Sequence, residues 1–280
     1  MGCWQAKIAA KIMLSRIPAP RRLFNQLGIF RHGYNAQAEY AYDVFEKHFA
    51  RVNPKPGFTC LELGPGDALA SAVFTPAFGG SGSIQVDVAP FAREEIDIYL
   101  AMEALAKSRG RNPPSLAQVR SLNEILSVCN GEYLTSGLSS LREIPTASVD
   151  FVYSQAALEH VRANEFLETM KEMRRTMRTN GVASHHVDLK DHLDQGLNNL
   201  RFSDGVWESD LMAGSGFYTN RISCSEMKDL MEEAGFVVEI EDVRRWPVPP
   251  LPRKALAPRF RDRSDHDLTI SGFVAVCRPR

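Results

Sequence analysis

Leu61-Glu62-Leu63-Gly64-Pro65-Gly66-Asp67-Ala68 sets the architecture of this chain. From Phe58 to Leu63 the residues read as a short buried strand, Gly64-Pro65-Gly66 as a turn, and Asp67 to Phe74 as a helix. Strand, glycine turn, helix is the opening unit of a doubly wound sheet. Glycines at such a turn let a ligand approach backbone that a Cβ would obstruct, and the helix sets its free N–H groups beside that ligand. Spacing speaks against two common ligands. A dinucleotide turn, G-x-G-x-x-G, requires glycine at 69, where the chain has Leu69, and no G-x-x-x-x-G-K-[ST] cradle for a nucleoside triphosphate occurs.

Working outward, Ser83 to Val88 gives a second strand that carries Asp87 near its end, and residues 91–130 read as helical with a break at Asn112-Pro113-Pro114. Glu132 to Thr135 is a short third strand, Val149 to Tyr153 a fourth, and Gly181 to Val187 a fifth. Between the last two, Asn164 to Thr179 reads as a helix whose Phe166, Leu167, Met170, Met173 and Met177 stripe faces the sheet. A helix from Ser223 to Ala234, ended by Gly235, and strands at Phe236 to Ile240 and Leu268 to Cys277 complete the pattern. Alternation of this kind predicts an α/β fold with a mostly parallel, doubly wound, seven-stranded sheet and helices on both faces. Upstream, a helix from Ala36 to about Arg51, with Tyr40, Phe45 and Phe49 as its apolar stripe, stops at Asn53-Pro-Lys-Pro-Gly57. The expected organisation is a helical extension or lid over 1–56 and a catalytic unit over 57–280, with an insertion at about 189–222.

Charge narrows the partners. Thirty-three Lys+Arg balance 34 Asp+Glu for a formal net charge of -1, so the basic excess of a nucleic-acid binder is missing. Cysteines at 3, 60, 129, 224 and 277 form no C-x-x-C pair, which points to a reducing, cytoplasmic setting without a structural zinc. No apolar run approaches the length of a membrane span. Residues 1–38 nevertheless carry Lys7, Lys11, Arg16, Arg21, Arg22 and Arg31 and no acid. Trp4, Ile8 and Ile12 recur at four-residue spacing there, the mark of a short amphipathic helix stopped near Pro18 and Pro20. Such a helix either packs on its own protein or lies on a partner or an anionic membrane surface, which would make the chain membrane-peripheral. Met1-Gly2-Cys3 opens like an acylated chain, but Ala6 stands where myristoylation wants Ser or Thr.

The acidic-x-Gly-x-Gly arrangement of Glu62, Gly64 and Gly66 resembles the first motif of the class I S-adenosylmethionine-dependent methyltransferases, with Ala68 in place of the third glycine. Asp87, 21 residues past Gly66, is similar to the family's ribose-binding carboxylate. Ile144 to Ser154 followed by Ala157-Leu158-Glu159-His160-Val161 is similar to its fourth strand and post-strand Leu-Glu-His, and Arg174-Arg175-Thr176-Met177 to Asn180-Gly181 to its turn into the fifth. These motifs span about residues 58–188 in order. The resemblance implies S-adenosylmethionine as cofactor: Glu62 toward the methionine ammonium, Gly64, Pro65 and Gly66 beside it, Asp87 on the ribose, and Val88, Leu138, Ser154 and Gln155 completing the pocket. Ser136-Gly137-Leu138 stands where many relatives keep an adenine-binding acid, so Leu138 would pack on the ring instead.

Methyl transfer to a hydroxyl is served by positioning and by a base, expected at the carboxyl ends of strands four and five. The fifth strand runs into Ser184-His185-His186-Val187-Asp188-Leu189-Lys190-Asp191-His192. Alternation puts His186 and Asp188 on one face and His185, as a satisfied buried imidazole, on the other. His192 is the expected base with Asp188 as its orienting carboxylate, provided the segment turns helically; His160 and His186 come next. Asp188, Asp191 and His192 could alternatively hold a cation, although the primary expectation is no metal. Asn198, Asn199, Arg201, Trp207, Tyr218, Asn220 and Arg221 are side chains that a glycan-like or other small hydroxylated acceptor would use. The competing reading is a non-catalytic cofactor-binding protein that docks a partner or membrane through its basic N-terminal segment.

Overall fold

The computed structural model describes residues 36–280. The basic segment, the acylation-like start and the expected Trp4–Ile12 helix lie outside the described residues. The first described helix, α1 (Ala38–Val52), ends where Asn53 enters the left-handed region at φ 46° and Pro54 cannot continue it.

Seven strands follow: β1 (Thr59–Leu63), β2 (Gly82–Val86), β3 (Gly131–Leu134), β4 (Val149–Gln155), β5 (Met177–Asp188), β6 (Phe236–Arg245) and β7 (Ile270–Pro279). They form one sheet in the order β3-β2-β1-β4-β5-β7-β6. The first five pair in parallel, and β7 runs antiparallel to both β5 and β6. This is the expected doubly wound α/β sheet. Strand order reverses between β1 and β4, so their carboxyl ends flank the crevice where such folds bind ligands.

Period-two alternation sorts the core into two layers. Cys60, Phe151 and Tyr153 meet α1, α2 (Ala70–Ala77), α3 (Ile96–Ser108) and α4 (Leu122–Cys129). Leu61, Val152, Ala183 and Val187 meet α5 (Leu138–Glu143), α6 (Phe166–Thr176) and, past the short helices α7 (Asp204–Trp207) and α8 (Asp210–Ala213), α9 (Cys224–Glu233). A last helix, α10 (Asp265–Thr269), leads into β7. On α1 the buried face runs through Tyr42, Phe45 and His48, leaving Tyr40 half-buried. Phe45 sets its edge on Phe151 at 5.8 Å and on Tyr153 at 5.7 Å, contacts worth about 0.5–1.5 kcal/mol each beyond buried area.

Several expected boundaries move: β6 runs on to Arg245, and β7 starts only at Ile270, after α10. The first crossover helix begins at Ala70, because Gly66 to Leu69 are spent on the turn. Helix α6 stops at Thr176 because Met177 is already extended and pairs with Val149 on β4. The 189–222 insertion carries a small core of its own, Leu193, Trp207, Met212, Phe217 and Tyr218. Leu197 and Leu200 pack with Leu256, Phe260 and Leu268 from the chain before β7. No helix among the described residues is long and apolar enough to cross a membrane.

Candidate active site

The turn after β1 depends on glycine at two places. Gly64 and Gly66 have φ of 73° and 66°, a region that L side chains rarely enter. Gly64 N–H donates to Val86 O at 2.8 Å, and a Cβ on Gly64 would lie 2.6 Å from Ala157 Cβ, so the loop after β4 rests directly on the turn. Gly66 N–H donates to Asp87 Oδ2 at 3.1 Å, and Val88 N–H to Asp87 Oδ1 at 2.7 Å. The carboxylate just past the end of β2 therefore pins the glycine turn. Beyond it Val88 is 74% exposed. The Gly137 turn approaches Val88 closely, which brings the half-buried Leu138 to the same corner.

Glu62 is buried and accepts from Ser71 Oγ at 2.6 Å. Burial pushes its carboxyl up to about 7, against the hydrogen bonds of Ser71 and Tyr153. It lines a cleft with Gly64, Pro65, Tyr153 and Gln155, which Tyr40, Ala41 and Val44 of α1 close from the side. Gln155 Oε1 is held by His48 Nε2 at 3.2 Å, and His48 Nδ1 meets Ser184 Oγ at 2.8 Å. Ser154 is not at the cleft. Alternation turns it to the opposite layer, where Ser154 Oγ meets the buried His185 Nδ1 at 2.8 Å.

S-adenosylmethionine fits this end of the sheet. A buried acid with no cation among its hydrogen-bond partners in the described residues suits an ammonium, a carboxylate just past the end of β2 suits ribose hydroxyls, and an exposed valine beside a leucine suits an apolar ring face.

The acceptor side differs from the sequence expectation. Asp188 and His192 are not brought together. The chain remains non-helical from Leu189 to Asp191, and Asp188 is taken by Lys190, through its N–H at 3.0 Å and its Nζ at 3.3 Å. His192 instead stacks on His160, with centroids 5.0 Å apart and Nε2 to Nε2 at 3.2 Å. His160 follows β4 in the 3₁₀ turn Leu158–His160, and its Nδ1 lies 2.8 Å from Tyr218 O. His186 shares Asp188's face as expected but contacts Arg244, and burial followed by that guanidinium pushes its imidazole down to about 4. A base that weak holds no proton near neutrality.

Asp191 is spent locally: its carboxylate accepts from the N–H groups of Leu193, Asp194 and Asn198. Among the described residues no group of three or more His, Cys, Asp or Glu is placed to hold a metal ion, so the Asp188, Asp191 and His192 alternative does not assemble. Most of the side chains read as a surface for sugars are interior. Trp207 donates to Thr219 O at 2.8 Å, and Asn220 donates to Leu158 O and Val161 O at 2.8 and 3.0 Å, clamping the turn that carries His160. Sequence reasoning left out His48, which only its place on the buried face of α1 could have flagged, and gave no role to Glu159, although the Leu-Glu-His motif contains it.

Residues 61–184 match a family model described as a methyltransferase domain. A SAM-dependent methyltransferase from Archaeoglobus fulgidus is similar in structure at 10% identity and a TM-score of 0.50, covering 90% of this chain and 99% of that one. Another from Methanosarcina mazei is 15% identical with a TM-score of 0.48, over 84% and 96%. Identities this low show the fold alone. No curated protein matches the sequence. Residues 61–184 thus form a methyltransferase domain, with S-adenosylmethionine as its cofactor.

Proposed function

We propose that this enzyme methylates an oxygen, in preference to a nitrogen, of a small hydroxylated or glycan-like acceptor, with His160 receiving the proton. The observation that carries this reading is the His160–His192 contact at the carboxyl ends of β4 and β5. A neutral imidazole has one donor and one acceptor nitrogen. Nδ1–H of His160 donates to the Tyr218 carbonyl, which assigns the lone pair to Nε2. A proton gained there lies between two ring nitrogens 3.2 Å apart and is stabilised by both. The carbonyl takes the orienting role expected of Asp188.

When bound, the cofactor supplies an electrophilic methyl on a sulfonium. Glu62 holds the ammonium, Gly64, Pro65 and Gly66 leave their backbone open to it, Asp87 accepts the ribose hydroxyls, and Val88 and Leu138 cover the ring. Gln155, steadied by His48, faces the cleft that Glu62 and Gly64 line. Positioning supplies most of the rate and the base a further factor of about 10² to 10⁴.

The test is methyl transfer from labelled cofactor to a panel of polyols and sugars. His160→Ala should lower turnover about a hundredfold or more while S-adenosylhomocysteine affinity holds. Parental turnover in that variant across the pH range contradicts the role.

A further inference from the structure

A second cavity, with room for a water-sized group, lies past the carboxyl end of β5. Its wall includes Glu159, Leu189, Asn199, Thr219 and Arg221. Glu159, Asn199 and Arg221 are 2%, 2% and 4% exposed, yet each presents one polar atom with no hydrogen-bond partner among the described residues: Oε2, Oδ1 and Nε. Buried polar groups are ordinarily paired, and leaving one unpaired costs about 1–3 kcal/mol. Three around one cavity point to a ligand.

The remaining atoms of these side chains are fixed, which fixes the three that are left. Asn199 Nδ2 donates to Thr219 Oγ1 at 2.8 Å, so its oxygen is the free end. Arg221 spends both terminal nitrogens on Phe202 O, Asp204 and Glu208, leaving Nε–H. Glu159 Oε1 accepts from Asp188 N–H at 3.2 Å, and burial pushes the carboxyl up to about 8, so at neutral pH Oε2 carries a proton to donate. The cavity thus offers two donors and one acceptor. Its guanidinium charges are already balanced, Arg221 by Asp204 and Glu208, and Arg263 by Glu226. One donor and two lone pairs on a neutral group describe an alcohol. Arg221 holds its place at φ 60°, an uncommon backbone state for a non-glycine residue.

We infer that this cavity is an acceptor subsite that takes one neutral hydroxyl of a polyol or sugar, held by Glu159, Asn199 and Arg221, an inference that rests on the methyl-transfer reading proposed above. The experiment is titration of ¹⁵N-labelled full-length protein with glycerol, erythritol, myo-inositol and glycerate, following the Asn199 amide and Arg221 Nε–H signals. The expected result is a saturable shift with the neutral polyols at millimolar concentration. Asn199→Leu should weaken it about tenfold, while Glu159→Gln, whose amide still donates, retains it. If Asn199→Leu does not fold, Arg221→Lys keeps the charge, loses Nε–H and should weaken the same response. Unmoved signals with every polyol, equal binding in the weakened variant, or tighter binding of glycerate than glycerol overturns the subsite. S-adenosylhomocysteine is titrated into the same samples. Cofactor binding without a polyol response sinks the subsite alone, and no cofactor binding sinks the parent reading with it.

Discussion

Asp87→Ala separates the turn clamp that the geometry shows from the ribose contact proposed for the same carboxylate. In the free protein the substitution strands the N–H groups of Gly66 and Val88, which now donate to Asp87 at 3.1 and 2.7 Å. Hydrogen bonds to a charged acceptor are worth about 1.5–3 kcal/mol each, and because the crevice admits water to both donors, a net loss of about 2 kcal/mol is expected. For a chain of this size that lowers the melting temperature by about 4–8 °C. From the sequence alone Asp87 is only a ribose ligand, and cofactor-free melting should not change; the turn clamp reverses that expectation. In the bound state the ribose loses its acceptor, so S-adenosylhomocysteine should bind at least about tenfold more weakly. Asp87→Asn, which keeps one carbonyl oxygen, should recover part of the melting temperature and less of the affinity. Scanning fluorimetry and calorimetry read the two effects separately. Unchanged melting refutes the clamp, and unchanged affinity refutes the ribose contact.

Three further outcomes follow from named contacts. Gly64→Ala places a Cβ 2.6 Å from Ala157 Cβ at a φ of +73° and should cost about 1–3 kcal/mol in urea unfolding; adding Ala157→Gly should return part of it, and no recovery contradicts the loop contact. His48 and His185 are pushed down to about 3 by burial. Their folded pKa lies below the unfolded value, so their contribution is intact above about 6.5 and is lost toward pH 3, at up to about 1.4 kcal/mol per pH unit for each imidazole; urea midpoints that stay level from pH 7 to 4.5 contradict it. Glu159 runs the opposite way: with its carboxyl raised to about 8, its contribution is full below the unfolded value near 4.5 and fades as pH rises through 8, and Glu159→Gln should flatten that alkaline decline.

The sheet was legible because its signals are local. The strand-turn-helix at 58–74, the period-two alternation of β4 and β5 and the Pro113-Pro114 break each depend on neighbours in sequence. That Glu62, Gly64, Gly66 and Asp87 gather at one end of the sheet was legible for the same reason, since they sit at strand ends whose positions follow from the strands. The acceptor end was not. Asp188 and His192 stand four residues apart and could meet only on a helical turn, whereas Lys190 is nearer and takes Asp188. His160 and His192 are 32 residues apart and meet only because β4 and β5 are neighbours. Ser154 and Gln155 adjoin in sequence but face opposite layers, so a motif that names both overcounts the site. The amides and aromatics of 198–221 read as surface chemistry because polarity along the chain does not reveal that an insertion has built its own core around Trp207.

The most direct measurement is calorimetric titration of the purified chain with S-adenosylhomocysteine and with NAD, repeated in buffers of different ionisation enthalpy. Because burial holds the Glu62 carboxyl up near 7, an incoming ammonium should lower that pKa and expel a proton. S-adenosylhomocysteine should therefore bind at one site, release up to one proton below about pH 7, and tighten as pH rises to that value before levelling off. Heat with NAD and none with S-adenosylhomocysteine would contradict the cofactor assignment, and binding without any proton release would contradict the placement of its ammonium at Glu62.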